Sequence, residues 1–326
     1  MTVNRKKILL PTEMARAGWA VLDGRDDIEA VTFAPDLDTA GFHGELATAS
    51  GVALWGRPFP AIAVAAAPHL QVVSRIGVGY DAVDVPALTA RGIPLFIAGT
   101  ANSVSVAEQA LFFMFYLARQ GFAQDRVVRE GRWPDKFQHR MFDLYGKTLV
   151  IVGFGRIGTR LAARCLGLEM NILVHDPFVA EDMIRARGCT PAPDLDAALA
   201  QADFVSIHCP KKPDTSGLFN AARLARMKPG AFLVNTARGG IIDEPALYEA
   251  LSTGKLAGAG LDVFDAEPTP ADNPLLTLPN IIVAPHMAGV TQEALERMAV
   301  ACVRNILSAI DGRPEAENVV NKEVLK

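Results

Sequence analysis

Arg238, Glu267 and His286 are the residues whose types and places could do chemistry in this chain. Each stands just beyond a short apolar run, at 232–235, 258–263 and 281–283, and each run reads as a buried strand. An imidazole exchanges protons near neutral pH, and a carboxylate beside it orients the ring. A guanidinium grips a carboxylate through paired N–H groups and polarises an adjacent carbonyl. The set suits proton exchange at the oxygen of a carbinol carbon whose hydrogen moves as hydride. A lone histidine is more often a structural residue, and the residue types alone leave that reading open.

The elements that must position such residues are organised by residues 147–176, KTLVIVGFGRIGTRLAARCLGLEMNILVHD. The apolar run Thr148–Val152 is followed by Gly153, Gly155 and Gly158 in G-x-G-x-x-G spacing, then by an amphipathic stretch at 157–166. A second apolar run at 172–174 ends at Asp176. The first glycine makes a tight turn, the second lets backbone approach a pyrophosphate, and the third lets helix pack on strand. The helix that starts there points unpaired N–H groups at phosphates. Asp176 lies 18 residues past Gly158, where a carboxylate takes the ribose hydroxyls of adenosine. That carboxylate repels a 2′-phosphate and no arginine follows before Arg185, so NAD is expected rather than NADP.

Around this stretch the chain alternates. Runs at 7–10, 53–54, 71–76 and 94–97 read as strands of a first α/β unit, with a helix at 87–91 stopped by Gly92. Gly77 and Gly79 put a bare turn after the third run, a place where α/β folds bind ligands; a plain turn would use the same residues. Ser105-Val106-Ala107-Glu108 has capping-box spacing and is expected to open a long apolar helix to about Arg119. Its aromatics (Phe112, Phe113, Phe115, Tyr116) run nearly all round, implying a buried helix or a subunit interface. Residues 121–145 read as a polar connection, and the Pro-rich stretches at 191–193 and 268–274 as loops. Beyond Asp176, strands at 204–207, 232–235, 258–263 and 281–283 alternate with helices, which describes a doubly wound parallel sheet. A last helix, 291–310, sets Ala294, Leu295, Met298, Cys302, Val303, Ile306 and Ile310 on one face and stops at Gly312. It follows the completed sheet, so it is expected to cross back to the N-terminal domain.

Composition narrows the classes. At 326 residues there is room for two domains, and a net charge of -4 argues against nucleic acid as a partner. No apolar stretch reaches membrane-spanning length, residues 111–118 being the most lipid-like, and residues 1–10 lack the apolar core of a signal peptide. Cys165, Cys189, Cys209 and Cys302 show no C-x-x-C pairing, so no metal site and no disulfide framework is expected, and a reducing cytoplasm fits. His43, His69, His139 and His175 read as surface or packing residues, and His208, at a strand end, as a wall of the cofactor pocket.

SRIGVGYDAVD, SVAEQALFFM, GKTLVIVGFGRIG, HDP, DFVSIHCP, MKPGAFLVNTARGGIID, GLDVFDAEP and APHMAG, in this order, resemble the D-isomer-specific 2-hydroxyacid dehydrogenase family over roughly residues 50 to 310. The resemblance implies a doubly wound (Rossmann) NAD domain at 102–288. Around it comes a discontinuous flavodoxin-like α/β substrate domain, 1–101 with 289–326. It implies interconversion of a D-2-hydroxyacid and its 2-oxoacid, with Arg238, Glu267 and His286 catalytic. Arg75, Gly77, Val78, Gly79 and Asn102 would join Arg238 and His286 on the substrate. Val78, Gly153, Gly155, Arg156, Ile157, Gly158, Asp176, His208, Cys209, Pro210, Thr215, Thr236, Ala237, Arg238, Asp262, His286, Ala288 and Gly289 would line the NAD. Arg75 matches an arginine that phosphoglycerate dehydrogenases place near the substrate phosphate, although a surface arginine beside a strand is the other reading. Met287 and Ala288 depart from the family's usual residues after the histidine. A homodimer through the cofactor domain is implied. The alternatives are a glyoxylate or hydroxypyruvate reductase and a non-enzymatic NAD-sensing module like the related corepressors.

Overall fold

Side-chain alternation builds two separate units, Met1–Asn102 with Val290–Lys326 and Ser103–Gly289, in a computed structural model that describes residues 5–138 and 140–325. His139 lies outside the described residues, as do residues 1–4. In the first unit Ile8 and Leu10 face one side of their strand and Leu9 the other, and all three are fully buried. Each such side chain contributes about 1.5–3 kcal/mol by leaving water. Strands β1 (Lys6–Pro11), β2 (Ile28–Phe33), β3 (Gly51–Leu54), β4 (Val72–Arg75) and β5 (Leu95–Phe96) form a sheet of order β2-β1-β3-β4-β5. Every pair is parallel, and the order is that of flavodoxin-like sheets. The helix Gln292–Ile310 closes one face of this sheet: Ala294, Met298, Cys302, Val303 and Ile306 are buried with Ile8 and Val72. Thr291 caps it by accepting from the Ala294 N–H at 3.1 Å, and Gly312 follows its end with φ +70°.

In the second unit β6 (Thr148–Val152), β7 (Asn171–His175), β8 (Thr190–Pro191), β9 (Phe204–Ile207), β10 (Ala231–Asn235), β11 (Leu256–Leu261) and β12 (Ile281–Val283) lie in the order β12-β11-β10-β9-β6-β7-β8. The pairs are all parallel, and the order reverses at β6, between β7 and β9. That reversal opens a crevice beyond the strand ends where such sheets take ligands. Val150 and Val152 enter the core on one face and Leu149 and Ile151 the core on the other, so both faces are covered.

Several local expectations change. The long helix begins at Ser103, with Ser105 buried inside its first turn, so the box spacing at 105–108 marks no boundary. Its aromatics divide between two faces: Phe113 is fully buried, while Phe112 and Phe115 are exposed. The stretch read as a polar connection contains the helix Gly121–Arg129, which buries only Val127. Thr190–Pro191 is an edge strand rather than loop, because Pro191 ends the sheet where no further N–H is needed. β2 has no clear signal in the sequence, since the alternation of Ile28–Phe33 breaks where Val31 follows Ala30. β11 stops at Leu261, so Asp262 opens the loop instead of closing the strand.

Candidate active site

The three glycines of the β6 turn occupy three different environments. Gly153 has φ +97°, and a Cβ there would stand 2.6 Å from the Cys209 backbone nitrogen. Gly158, first residue of the helix Gly158–Leu166, lies against the carbonyl of Gly153 with no room for a side chain. Gly155 instead faces open space, with no described atom within 4 Å of a Cβ built on it. Packing explains two of the glycines, and the third leaves its backbone open to an approaching ligand. Arg156 and Ile157 stand at the helix start, Arg156 and Ile157 both half-buried. Asp176 accepts from the Phe154 N–H at 2.7 Å with one carboxylate oxygen and from the Phe178 N–H at 2.9 Å with the other. It ties the glycine turn to its own loop and keeps lone pairs for hydroxyl donors.

The loop after β9 forms the opposite wall. His208 places Nε2 2.8 Å from the Ser206 hydroxyl, while Nδ1 is shielded and has no partner among the described residues. Burial pushes its imidazole down to about 3, so the ring is neutral. Burial likewise pushes the Cys209 thiol up to about 11. Thr215 donates to the Pro210 carbonyl at 2.7 Å and accepts from the Lys212 N–H at 2.8 Å, which fixes the course of the loop. After β10, Thr236 is only 6% exposed and its hydroxyl has no hydrogen-bond partner among the described residues. Shielded polar atoms without a protein partner call for a polar ligand beside them.

Three loops then come together. Asn235, 2% exposed, accepts from the Ala237 N–H at 2.9 Å and donates to the Arg238 carbonyl at 2.8 Å, so one buried amide shapes the turn that carries Arg238. The next residue, Gly239, packs against the Phe264 carbonyl so closely that any Cβ would overlap it. Phe264 in turn donates its N–H to Glu267 Oε1 at 3.0 Å. The other oxygen, Oε2, stands 2.7 Å from His286 Nδ1. A carboxylate accepts, so Nδ1 carries a hydrogen, and in the neutral ring Nε2 is the acceptor. His286 itself has φ +55°, a left-handed conformation that a residue with a Cβ seldom adopts. Asp262, 1% exposed, holds it there: its carbonyl accepts the His286 N–H, and its carboxylate the N–H groups of Met287 and Ala288, at 2.8, 2.8 and 2.9 Å. Burial holds that carboxyl above the usual range, against the pull of the two N–H donors.

Gly77, Val78, Gly79 and Asn102 belong to the other unit. Arg75, at the end of β4, donates from Nε to the Gly79 carbonyl at 2.9 Å, and Gly77 accepts from the Ala98 N–H at 2.8 Å. Gly77 has φ +150° and open space around it. Asn102 is half-buried. Asn235 is the residue of the second unit that sequence reasoning passes over. A polar residue ending a run of buried apolar ones is the signal that could have found it.

Residues 111–288 match the NAD binding domain of D-isomer specific 2-hydroxyacid dehydrogenases. A D-3-phosphoglycerate dehydrogenase of Archaeoglobus fulgidus is 41% identical over 258 residues, 79% of this chain and 48% of that protein. A glyoxylate reductase of Korarchaeum cryptofilum is 41% identical over 278 residues, 84% of this chain and 83% of that protein. The chain belongs to the D-isomer-specific 2-hydroxyacid dehydrogenase family. It spans about half the length of the phosphoglycerate dehydrogenase it matches. Among solved structures of similar fold are a protein of Thermus thermophilus (TM-score 0.86, 33% identity, 97% of this chain and 99% of that one) and a glyoxylate reductase of Paecilomyes thermophila (TM-score 0.86, 29% identity, 99% and 100%). The family's NAD-binding segment contains the glycine turn, Asp176 and the Arg238–Glu267–His286 constellation. The open space at Gly155 and the partnerless Thr236 hydroxyl fit a dinucleotide among these residues.

Proposed function

We propose that this chain is an NAD-dependent dehydrogenase that interconverts a D-2-hydroxyacid and its 2-oxoacid. The observation that carries the reading is the His286–Glu267 pair at 2.7 Å, held beside the Arg238 turn at the strand ends of a dinucleotide fold. When bound, the nicotinamide supplies the hydride chemistry. His286 Nε2 exchanges the proton at the substrate C2 oxygen, and Glu267 fixes the ring's tautomer and direction through Nδ1. Arg238 holds the substrate carboxylate and polarises the carbonyl. Gly153, Gly155, Arg156, Ile157 and Gly158 take the pyrophosphate, and Asp176 takes the adenosine ribose. His208, Cys209, Pro210, Thr215, Thr236, Ala237, Asp262, Ala288 and Gly289 form the remaining walls for the cofactor. In the first unit, the Gly77-Val78-Gly79 turn and Asn102 are the residues that the family resemblance gives a substrate-binding role.

The finer reading is a substrate with an anionic tail, as in phosphoglycerate dehydrogenases, and it rests on Arg75 at the glycine turn. A second reading, a short acid such as glyoxylate, is supported by the match along 83% of the Korarchaeum cryptofilum glyoxylate reductase. NADH oxidation against glyoxylate, pyruvate, hydroxypyruvate, phosphohydroxypyruvate and sulfopyruvate separates them. His286→Ala is expected to lose roughly a thousandfold in kcat. NADH binding with no turnover of any acid would instead indicate a sensor module.

Two features support the remaining expectations. Phe112, Phe115, Phe122 and Trp133 are exposed on the second unit, a surface suited to a second copy of the chain. All four cysteines are free, consistent with a reducing cytoplasm. Separately, no helix among the described residues is long and apolar enough to cross a membrane.

A further inference from the structure

Phe178 is 81% exposed, two residues beyond Asp176. An aromatic ring so exposed forgoes most of its burial energy unless something covers it. Its position is not loose. The Phe178 N–H donates to Asp176 Oδ1 at 2.9 Å, so the carboxylate read as the ribose acceptor also sets where this ring begins. Lys212 places Nζ over the ring, 5.6 Å from its centroid, inside the range of a cation–π contact. Lys212 is placed by its own N–H bond to Thr215.

The two residues come from different loops. Phe178 follows β7 and Lys212 follows β9, and both strands pair with β6, one on each side. The strands are therefore about 10 Å apart, two inter-strand spacings, and the side chains reach toward each other across the end of the strand that leads into the glycine turn. Two residues of backbone span at most roughly 7 Å, the scale that separates ribose hydroxyls from the base they carry. A carboxylate on the ribose thus leaves the base beside Phe178.

We propose that Phe178 is the stacking platform for the adenine of the dinucleotide and that Lys212, over the same ring, braces it. The inference rests on the dinucleotide reading above and adds to it two residues that make the adenosine end selective. Lys212 covers one face of the ring and leaves the other to a flat partner. Bases stack on aromatic faces without need of specific hydrogen bonds, and an electron-rich ring with a cation on it is a firmer support than a free side chain.

The test uses three probes on the full chain, by calorimetric titration: NADH, ADP-ribose (the adenosine end without nicotinamide) and reduced nicotinamide mononucleotide (the nicotinamide end without adenosine). Phe178→Ala is expected to weaken NADH and ADP-ribose about tenfold each, and Lys212→Ala about threefold each. Phe178→Tyr should bind all probes as wild type does, and the mononucleotide should not distinguish any variant from wild type. Unchanged ADP-ribose binding in Phe178→Ala, or equal weakening of the mononucleotide, would overturn the proposal while leaving the dinucleotide reading in place. Wild-type chain that binds neither NADH nor ADP-ribose would overturn that reading and the proposal together.

Discussion

Asp262 holds the backbone of His286 rather than its ring. The His286 N–H donates to the Asp262 carbonyl at 2.8 Å, and the next two N–H groups donate to the two oxygens of the Asp262 carboxylate. A left-handed residue with a Cβ costs on the order of 1–3 kcal/mol and persists only where its surroundings over-determine it. Here the buried carboxylate does so, and the Glu267 contact then sets the ring.

Asp262→Asn puts an NH2 group where one of those N–H donors needs an acceptor. The loop loses one bond and gains a donor–donor clash, so His286 moves by a fraction of an ångström or more. The expected result is a kcat lower by about a hundredfold, the scale of loss for a misplaced reacting group. Wild-type kcat in this variant would show that the clasp has no part in placing His286.

Gly239 and Gly155 should respond oppositely to the same small change. In Gly239→Ala the new methyl overlaps the Phe264 carbonyl, forcing apart the turn of Arg238 and the segment of Glu267. Such overpacking costs about 1–3 kcal/mol, so the urea midpoint should fall together with kcat. Gly155→Ala meets no described atom within 4 Å, so its urea midpoint should stay and only the Kd for NADH should rise. A lowered midpoint in the second variant would mean that Gly155 serves packing and not ligand approach.

Arg75 both braces the Gly79 carbonyl and brings positive charge to the glycine turn. Loss of a hydrogen bond to a charged group is worth roughly 1.5–3 kcal/mol. Arg75→Ala should therefore raise KM for every 2-oxoacid, and raise it furthest for phosphohydroxypyruvate and sulfopyruvate. Steady-state KM values across the panel decide it. An equal rise for all acids leaves bracing as the whole role and removes the anionic-tail reading.

His208 makes stability depend on pH. Burial lowers its folded pKa to about 3, below the ordinary histidine value of 6.5. Between those values the unfolded chain binds one more proton than the folded one, so stability rises with pH across this window. It is fully present above pH 6.5 and is lost as pH falls toward 3. One such group gives at most about 2 kcal/mol between pH 6.5 and 5. Urea unfolding at the two pH values should show this slope in wild type and a smaller one in His208→Asn. Identical slopes would assign the acid sensitivity elsewhere.

The exposed aromatics on the helix Ser103–Arg119 and beyond it should mark a self-association surface. Phe112→Glu combined with Trp133→Glu is expected to convert a dimer to a monomer in light scattering, with NADH binding retained. A wild-type monomer at micromolar concentration would remove the proposed homodimer.

The short-range regularities are legible without coordinates. Strand periodicity in Thr148–Val152, the glycine spacing and the carboxylate at 176 follow from backbone rules acting over a few residues, and these rules are written directly in residue types. The parallel alternation and the placement of Arg238, Glu267 and His286 beyond strand ends are legible for the same reason. What tertiary structure decided is long-range or context-dependent. That Asp262 clasps the His286 turn, that Asn235 shapes the Arg238 turn, and that Gly239 abuts Phe264 depend on neighbouring strands of one sheet meeting in one register. Ser105 misleads because a capping box and a buried first turn share their residue spacing, and only packing distinguishes them. Phe178 and Lys212 lie 34 positions apart in the chain, and no local periodicity links them. They meet because β6 inserts between the strands that carry their loops, an ordering set by the topology of the whole sheet.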